Sequence, residues 1–139
     1  MGASTVIVTS GATPYRVSVK SDSNHEWAAD EPVNLGGGDT APAPTELLLS
    51  SLGACTAITL QMYAGRKQWS LHSIEVSLQF NPAGKPATGH SEITREITLH
   101  GTLDEEQRQR LLQIANSCPI HKVLSGTIAI HSALTNELL

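Results

Sequence analysis

Leu47-Leu48-Leu49-Ser50-Ser51-Leu52-Gly53-Ala54-Cys55-Thr56-Ala57-Ile58-Thr59-Leu60-Gln61-Met62 is the stretch whose reading decides the fold. Leu47, Leu48, Leu49, Leu52, Cys55, Ile58, Thr59 and Met62 satisfy helical spacing, yet the apolar residues cover nearly every face. A helix that is apolar all round has to be buried all round. A chain of 139 residues can hardly wrap one long helix alone. Either a curved sheet and other helices cover it, or a second subunit does. Ser50, Ser51, Gly53, Ala54 and Ala57 are small enough to permit close packing around Cys55. Gly65, with Arg66 and Lys67, marks the helix end.

Towards the N-terminus the pattern changes from helical to alternating. Ser4–Val8 and Tyr15–Lys20 predict a hairpin turning at Gly11–Pro14, and His25–Ala29 a third short strand. Asp30–Ala43, with three consecutive glycines, predicts a loop. Towards the C-terminus, Ile74, Val76, Leu78 and Phe80 alternate with polar residues over Leu71–Phe80. Ile93, Arg95, Ile97 and Leu99 do so over Ile93–His100, and Asn81–Gly89 joins the two strands. Asp104 is placed as the N-cap of a helix whose apolar stripe is Leu111, Leu112, Ile114 and Ala115. Pro119 then opens a short helix, and Gly126–Ser132 predicts a last strand. Antiparallel runs separated by helices give an α+β class, in one domain over residues 1–139.

Composition narrows the function. The formal charge is −4, and the nine Lys and Arg are scattered. A nucleic-acid binder needs a basic stripe, so none is expected as partner. Leu47–Ala64 is the best candidate for a membrane span, but Ser, Thr, Gln and Gly interrupt it. Met1–Gly11 does not read as a signal peptide. The expectation is a cytoplasmic protein with no membrane partner. Two cysteines in a reducing compartment then leave reactive, metal-binding or inert core roles open.

Cys55, mid-helix among small residues, reads first as a buried core residue, and a reactive thiol there needs a nearby cation or hydrogen-bond donor. Cys118 is placed differently. With Pro119 at the first helical position, Cys118 is the N-cap, and its sulfur faces free backbone N–H groups that favour a thiolate. His121 and Lys122 bring two further potential cations. Cys118-Pro-Ile-His121 has the spacing of half a zinc site, but no second such pair exists, so no metal is expected. Glu46 lies nine residues before Cys55 (55 − 46 = 9). It can anchor an arginine from elsewhere in the chain, or simply favour the helix start.

Residues Gly36 to Ala57 (GGGDTAPAPTELLLSSLGACTA) resemble the Gly-rich loop and central helix of the OsmC/Ohr family. Ile114 to Lys122 (IANSCPIHK) is similar to that family's second cysteine motif, and His25–Pro32 and Ile93–Leu103 are also alike. The resemblance implies an OsmC-like fold, in which an intertwined homodimer wraps antiparallel sheets around long central helices. It also implies a thiol peroxidase without a cofactor. Cys55 attacks an organic hydroperoxide and becomes a sulfenic acid, Cys118 resolves it to a disulfide, and a dithiol reductant restores both. An Arg and a Glu activate the first thiol in the best-known members. Here Thr45 stands where the peroxidases carry that Glu, and Glu46 comes one place later, about 100° round the helix. Arg16 and Arg95 are the candidate cations. Leu48, Leu52 and His121 are the expected substrate contacts, in a site apolar enough to favour organic peroxides. Two other readings stay open: an OsmC-fold binding or dimerisation module without peroxidase activity, and thiol exchange centred on Cys118 with His121 as base.

Overall fold

The computed structural model describes residues 3–84, 86 and 89–135. The order is β1 (Val6–Ser10), β2 (Val17–Ser21), β3 (Glu26–Ala29), a single 3-10 turn (Val33–Leu35), α1 (Pro44–Lys67), β4 (Ser70–Phe80), β5 (Ile93–Thr102), α2 (Glu105–Ala115) and α3 (Pro119–Leu124). By internal packing the chain falls into two units, Met1–Ser51 with Gln79–Thr94, and Leu52–Leu78 with Arg95–Leu139.

In the first unit β1, β2 and β3 form an antiparallel sheet in that order, in the register Val8 with Val19 and Val19 with Trp27. Tyr15, at φ 68°, takes the left-handed conformation that lets the chain turn into β2. Asp30, directly after β3, is buried and organises the loop behind it.

In the second unit β4 pairs with β5. Ile74, Val76 and Leu78 are half-buried, as are Ile93, Arg95, Ile97 and Leu99. The alternation read from the sequence is thus present, except that Phe80 is exposed. The core is Leu60 and Ala64 of α1 against Leu111 and Ala115 of α2, with Tyr63, Trp69, Ile97 and Leu99 packed round it. Leu60 and Leu111 are fully buried, and each contributes about 1.5–3 kcal/mol relative to exposure. Asp104 caps α2: it accepts from Gln107 N at 2.8 Å, and the Gln107 side chain accepts from Asp104 N at 2.9 Å.

Two expectations are corrected. Residues Gly126–Ser132 form no strand. Ile128 and Ile130 keep the alternation of one, but a strand exists through its ladder. Among the described residues no neighbour provides one, and both side chains are exposed. Second, α1 is long and apolar enough to cross a membrane by length and composition, although Leu47–Ala64 was expected to fall short. Its polar interruptions are muted because the hydroxyls bond back to helix carbonyls. Ser50 donates to Glu46 O, Ser51 to Leu48 O and Thr56 to Leu52 O. The buried residues of α1, Leu52, Thr56, Leu60 and Ala64, nevertheless form the stripe of a helix packed on protein.

Candidate active site

Cys55 lies in the middle of α1, half-buried. Gly53, two residues earlier, gives the neighbouring strand room: a Cβ there would meet Leu78 Cδ1 at 2.8 Å. Cys118 is reached through the other helices. α2 stops at Ala115, the chain turns through Asn116 and Ser117, and Cys118 becomes the N-cap of α3 with Pro119 at the first position. Its sulfur accepts from His121 N at 3.4 Å and is fully buried.

The two thiols are neighbours. The Cys118 thiol, the backbone N–H of Ile120 and the Thr59 hydroxyl are the groups close enough to bear on the Cys55 thiol. Burial, and next the Cys118 thiol, push the Cys55 thiol above its ordinary 9.0, while the Ile120 N–H and Thr59 hydroxyl partly oppose them. In this arrangement Cys55 is protonated at neutral pH, and a thiolate there calls for an added cation.

Arg95 approaches from β5. Its Nη1 donates to Thr56 Oγ1 at 3.1 Å and to Ala115 O at 3.4 Å, and its Nη2 donates to Asn116 Oδ1 at 3.0 Å. The guanidinium therefore joins the residue after Cys55 to the turn that leads into Cys118. All three acceptors are neutral, and Ala115 O is at the negative end of α2. His121 also faces it. Burial, and then the charge of Arg95, lower the His121 pKa below its ordinary 6.5.

The other expected site residues have these positions. Leu52 belongs to the buried stripe of α1, and Leu48, one turn earlier, is exposed. Glu46 accepts from Ala43 N at 2.9 Å and so caps the start of α1. Arg16 bonds Thr40 rather than an acid. The one ion pair among the described residues is Lys20–Glu26, at 3.9 Å. Those residues hold no group of three His, Cys, Asp or Glu suited to a metal. Sequence reasoning missed Thr56, Thr59 and Asn116. Thr59 had a readable signal, since it lies four residues after Cys55 on the same helical face. Asn116 had none beyond its place in the second cysteine motif.

The sequence profile of OsmC-like proteins matches residues 36–132, a span that includes both cysteines. The chain belongs to the OsmC-like family. This OsmC-like protein is also similar to solved structures. An osmotic stress induced and detoxification response protein from Psychrobacter arcticus is 24% identical, with 88% of this chain and 89% of that one covered and a TM-score of 0.72. An organic hydroperoxide resistance protein OsmC from Legionella pneumophila is 18% identical over 91% of both chains, with a TM-score of 0.68. An organic hydroperoxide resistance protein from Elizabethkingia anophelis is 21% identical, covers 91% and 90%, and gives 0.67. At these identities the likeness is one of fold. A search of curated proteins returns no significant match.

Proposed function

We propose that this OsmC-like protein is a thiol-dependent peroxidase of organic hydroperoxides, with Cys55 as peroxidatic and Cys118 as resolving thiol. The observation that carries the reading is the proximity of two free cysteines 63 residues apart in the chain (118 − 55 = 63). The Cys55 thiolate attacks the distal peroxide oxygen and breaks the O–O bond. Sulfur is oxidised to the sulfenic acid, and the alkoxide leaves and takes a proton as the alcohol. Cys118 then loses its proton and attacks the Cys55 sulfur, breaking the S–O bond; the disulfide forms and the hydroxide leaves with that proton as water. A dithiol reductant returns both thiols by exchange. Because burial holds Cys55 protonated, the first step needs a cation, and Arg95 and Arg16 are the candidates. Glu46 acts through the start of α1.

The same reading takes residues 1–139 as one functional domain of a cytoplasmic homodimer. Leu48, Ile58 and Met62 on α1, and Ile128 and Ile130 beyond α3, are apolar and exposed, which supports cover by a second copy. The test is intact mass spectrometry and thiol counting after one equivalent of tert-butyl hydroperoxide. The expected result is rapid loss of two thiols and two hydrogens per chain, with no turnover in Cys55→Ser or Cys118→Ser. Full turnover in either variant refutes the two-thiol mechanism.

A second reading, Cys118-centred thiol exchange, is favoured by the His121 N–H aimed at Cys118 while Cys55 is held protonated. It predicts fast alkylation of Cys118 alone by iodoacetamide, with Cys55 dispensable. Two thiols inert to both reagents would instead support the binding or dimerisation module.

A further inference from the structure

Arg16 has an unusual partner. Its Nη1 donates to Thr40 Oγ1 at 2.5 Å and, more weakly, to Thr40 O at 3.4 Å. A threonine hydroxyl has one proton to give. Thr40 gives it to Asp30 Oδ2 at 2.7 Å. The chain of bonds therefore has one direction, guanidinium to hydroxyl to carboxylate.

Asp30 is a firm terminus for that chain. It is 2% exposed and also accepts from the N–H groups of Glu31 at 2.8 Å, Thr40 at 3.1 Å and Gly38 at 3.5 Å. The Thr40 bonds above all lower its pKa from the ordinary 3.8 to about 2, so it is a carboxylate at any working pH. The loop closes round it through Asp30 N to Pro42 O at 3.1 Å and Asp39 N to Glu31 O at 3.0 Å. Gly37 makes that closure possible, because a Cβ there would meet Glu31 O at 2.0 Å and Asp30 Oδ1 at 2.8 Å.

A direct Arg–carboxylate fork would fix the guanidinium but also commit one whole edge and neutralise its charge. Here one nitrogen is fixed through a neutral adaptor. Among the described residues Nε and Nη2 of Arg16 have no acceptor, and the side chain lines a cleft of about 590 Å³ with Ile7, Val19, Trp27, Lys20 and Glu26, the last two paired with each other. We propose that Thr40 and Asp30 are positioning residues that hold the Arg16 guanidinium by one nitrogen and leave its other donors to an anionic group, with Thr40 as adaptor and Asp30 as anchor. The inference rests on the reading of Arg16 as a cation that serves the peroxide reaction.

The test uses Thr40→Val, Thr40→Ser, Arg16→Ala and the Thr40→Val/Arg16→Ala double variant of the full chain. One readout is independent of turnover: ¹⁵N NMR of the arginine side chains, which reports restricted rotation and slow proton exchange at a held guanidinium. The other is kcat and KM with tert-butyl hydroperoxide. Arg16 is expected to be restricted in the native protein, averaged in Thr40→Val and restricted again in Thr40→Ser. Thr40→Val should lose about tenfold to a hundredfold, mostly in kcat, as for a misplaced catalytic group. Thr40→Ser should recover most of it, and the double variant should be no worse than Arg16→Ala. An Arg16 signal still restricted in Thr40→Val overturns the relay. If Arg16→Ala abolishes turnover while Thr40→Val frees the guanidinium without a kinetic effect, the positioning role falls and the reading of Arg16 stands. Native turnover in Arg16→Ala removes that reading, and the positioning role with it.

Discussion

Thr56→Val tests the site at the bond where Arg95 meets α1. Threonine and valine have the same shape, so the change is chemical. The hydroxyl is fully buried; it donates to Leu52 O at 2.7 Å and accepts from Arg95 Nη1 at 3.1 Å. The first loss costs little, because Leu52 O keeps the ordinary helix bond from the Thr56 N–H. The second costs more. Nη1 keeps only Ala115 O at 3.4 Å, and a hydrogen bond to a charged donor is worth about 1.5–3 kcal/mol. Replacing the hydroxyl by a methyl returns roughly 0.8 kcal/mol of transfer free energy. The expected net loss is about 1–2 kcal/mol, a factor of about 5–30 in the folding equilibrium. With m near 1–3 kcal/mol/M, the urea midpoint falls by about 0.3–2 M, measured at one fixed protein concentration because association shifts apparent stability. The same change in an Arg95→Met background should cost less than about 0.5 kcal/mol, since the partner is already gone. A midpoint unmoved by Thr56→Val, or a cost unchanged in that background, refutes the coupling of Arg95 to α1.

Asp104→Ala removes the reciprocal cap of α2 and should destabilise the fold by about 1 kcal/mol, read as a lower thermal midpoint. His121 has its folded pKa lowered, so as pH falls below 6.5 the unfolded chain binds a proton that the folded chain resists, and stability drops. His121→Gln should flatten that loss below pH 6.5 in urea titrations across pH. Asp30 has the opposite chemistry but the same direction: its contribution is complete above pH 3.8 and disappears as pH falls towards about 2. Asp30→Asn should therefore lack the acid-sensitive part of unfolding in that window, and an unchanged acid transition would show that the loop does not depend on the carboxylate.

Periodicity and capping made much of the fold legible. The alternation of Ile93–Leu99 and the Asp104 and Pro119 signals place β5, α2 and α3 to within a few residues, because each is decided by neighbours in sequence. Gly126–Ser132 shows the limit. Its residues have strand character, but the ladder that makes a strand is not a local property. In the site, the N-cap role of Cys118 could be read directly, since Pro119 fixes the helix start. The meeting of Cys55 with Cys118, and of Arg95 with Thr56 and Asn116, depends on how α1, β5 and α2 pack, and only the family resemblance hinted at the first. Glu46 was half legible: its place in the first turn was clear, whereas its bond to the Ala43 N–H depends on the loop leading into the helix.

The cap of α3 is a sulfur, and that affects how one common experiment is interpreted. A thiol is a weak acceptor at 3.4 Å, whereas serine is among the preferred residues at that position. Cys118→Ser, made to delete the chemistry, also exchanges a soft clasp for a harder one. The variant should hold the first turn of α3 at least as tightly as the native residue does. Any turnover it loses is then a loss of sulfur rather than of helix. A gain in its melting temperature would measure how much stability the native chain gives up to keep a thiol there.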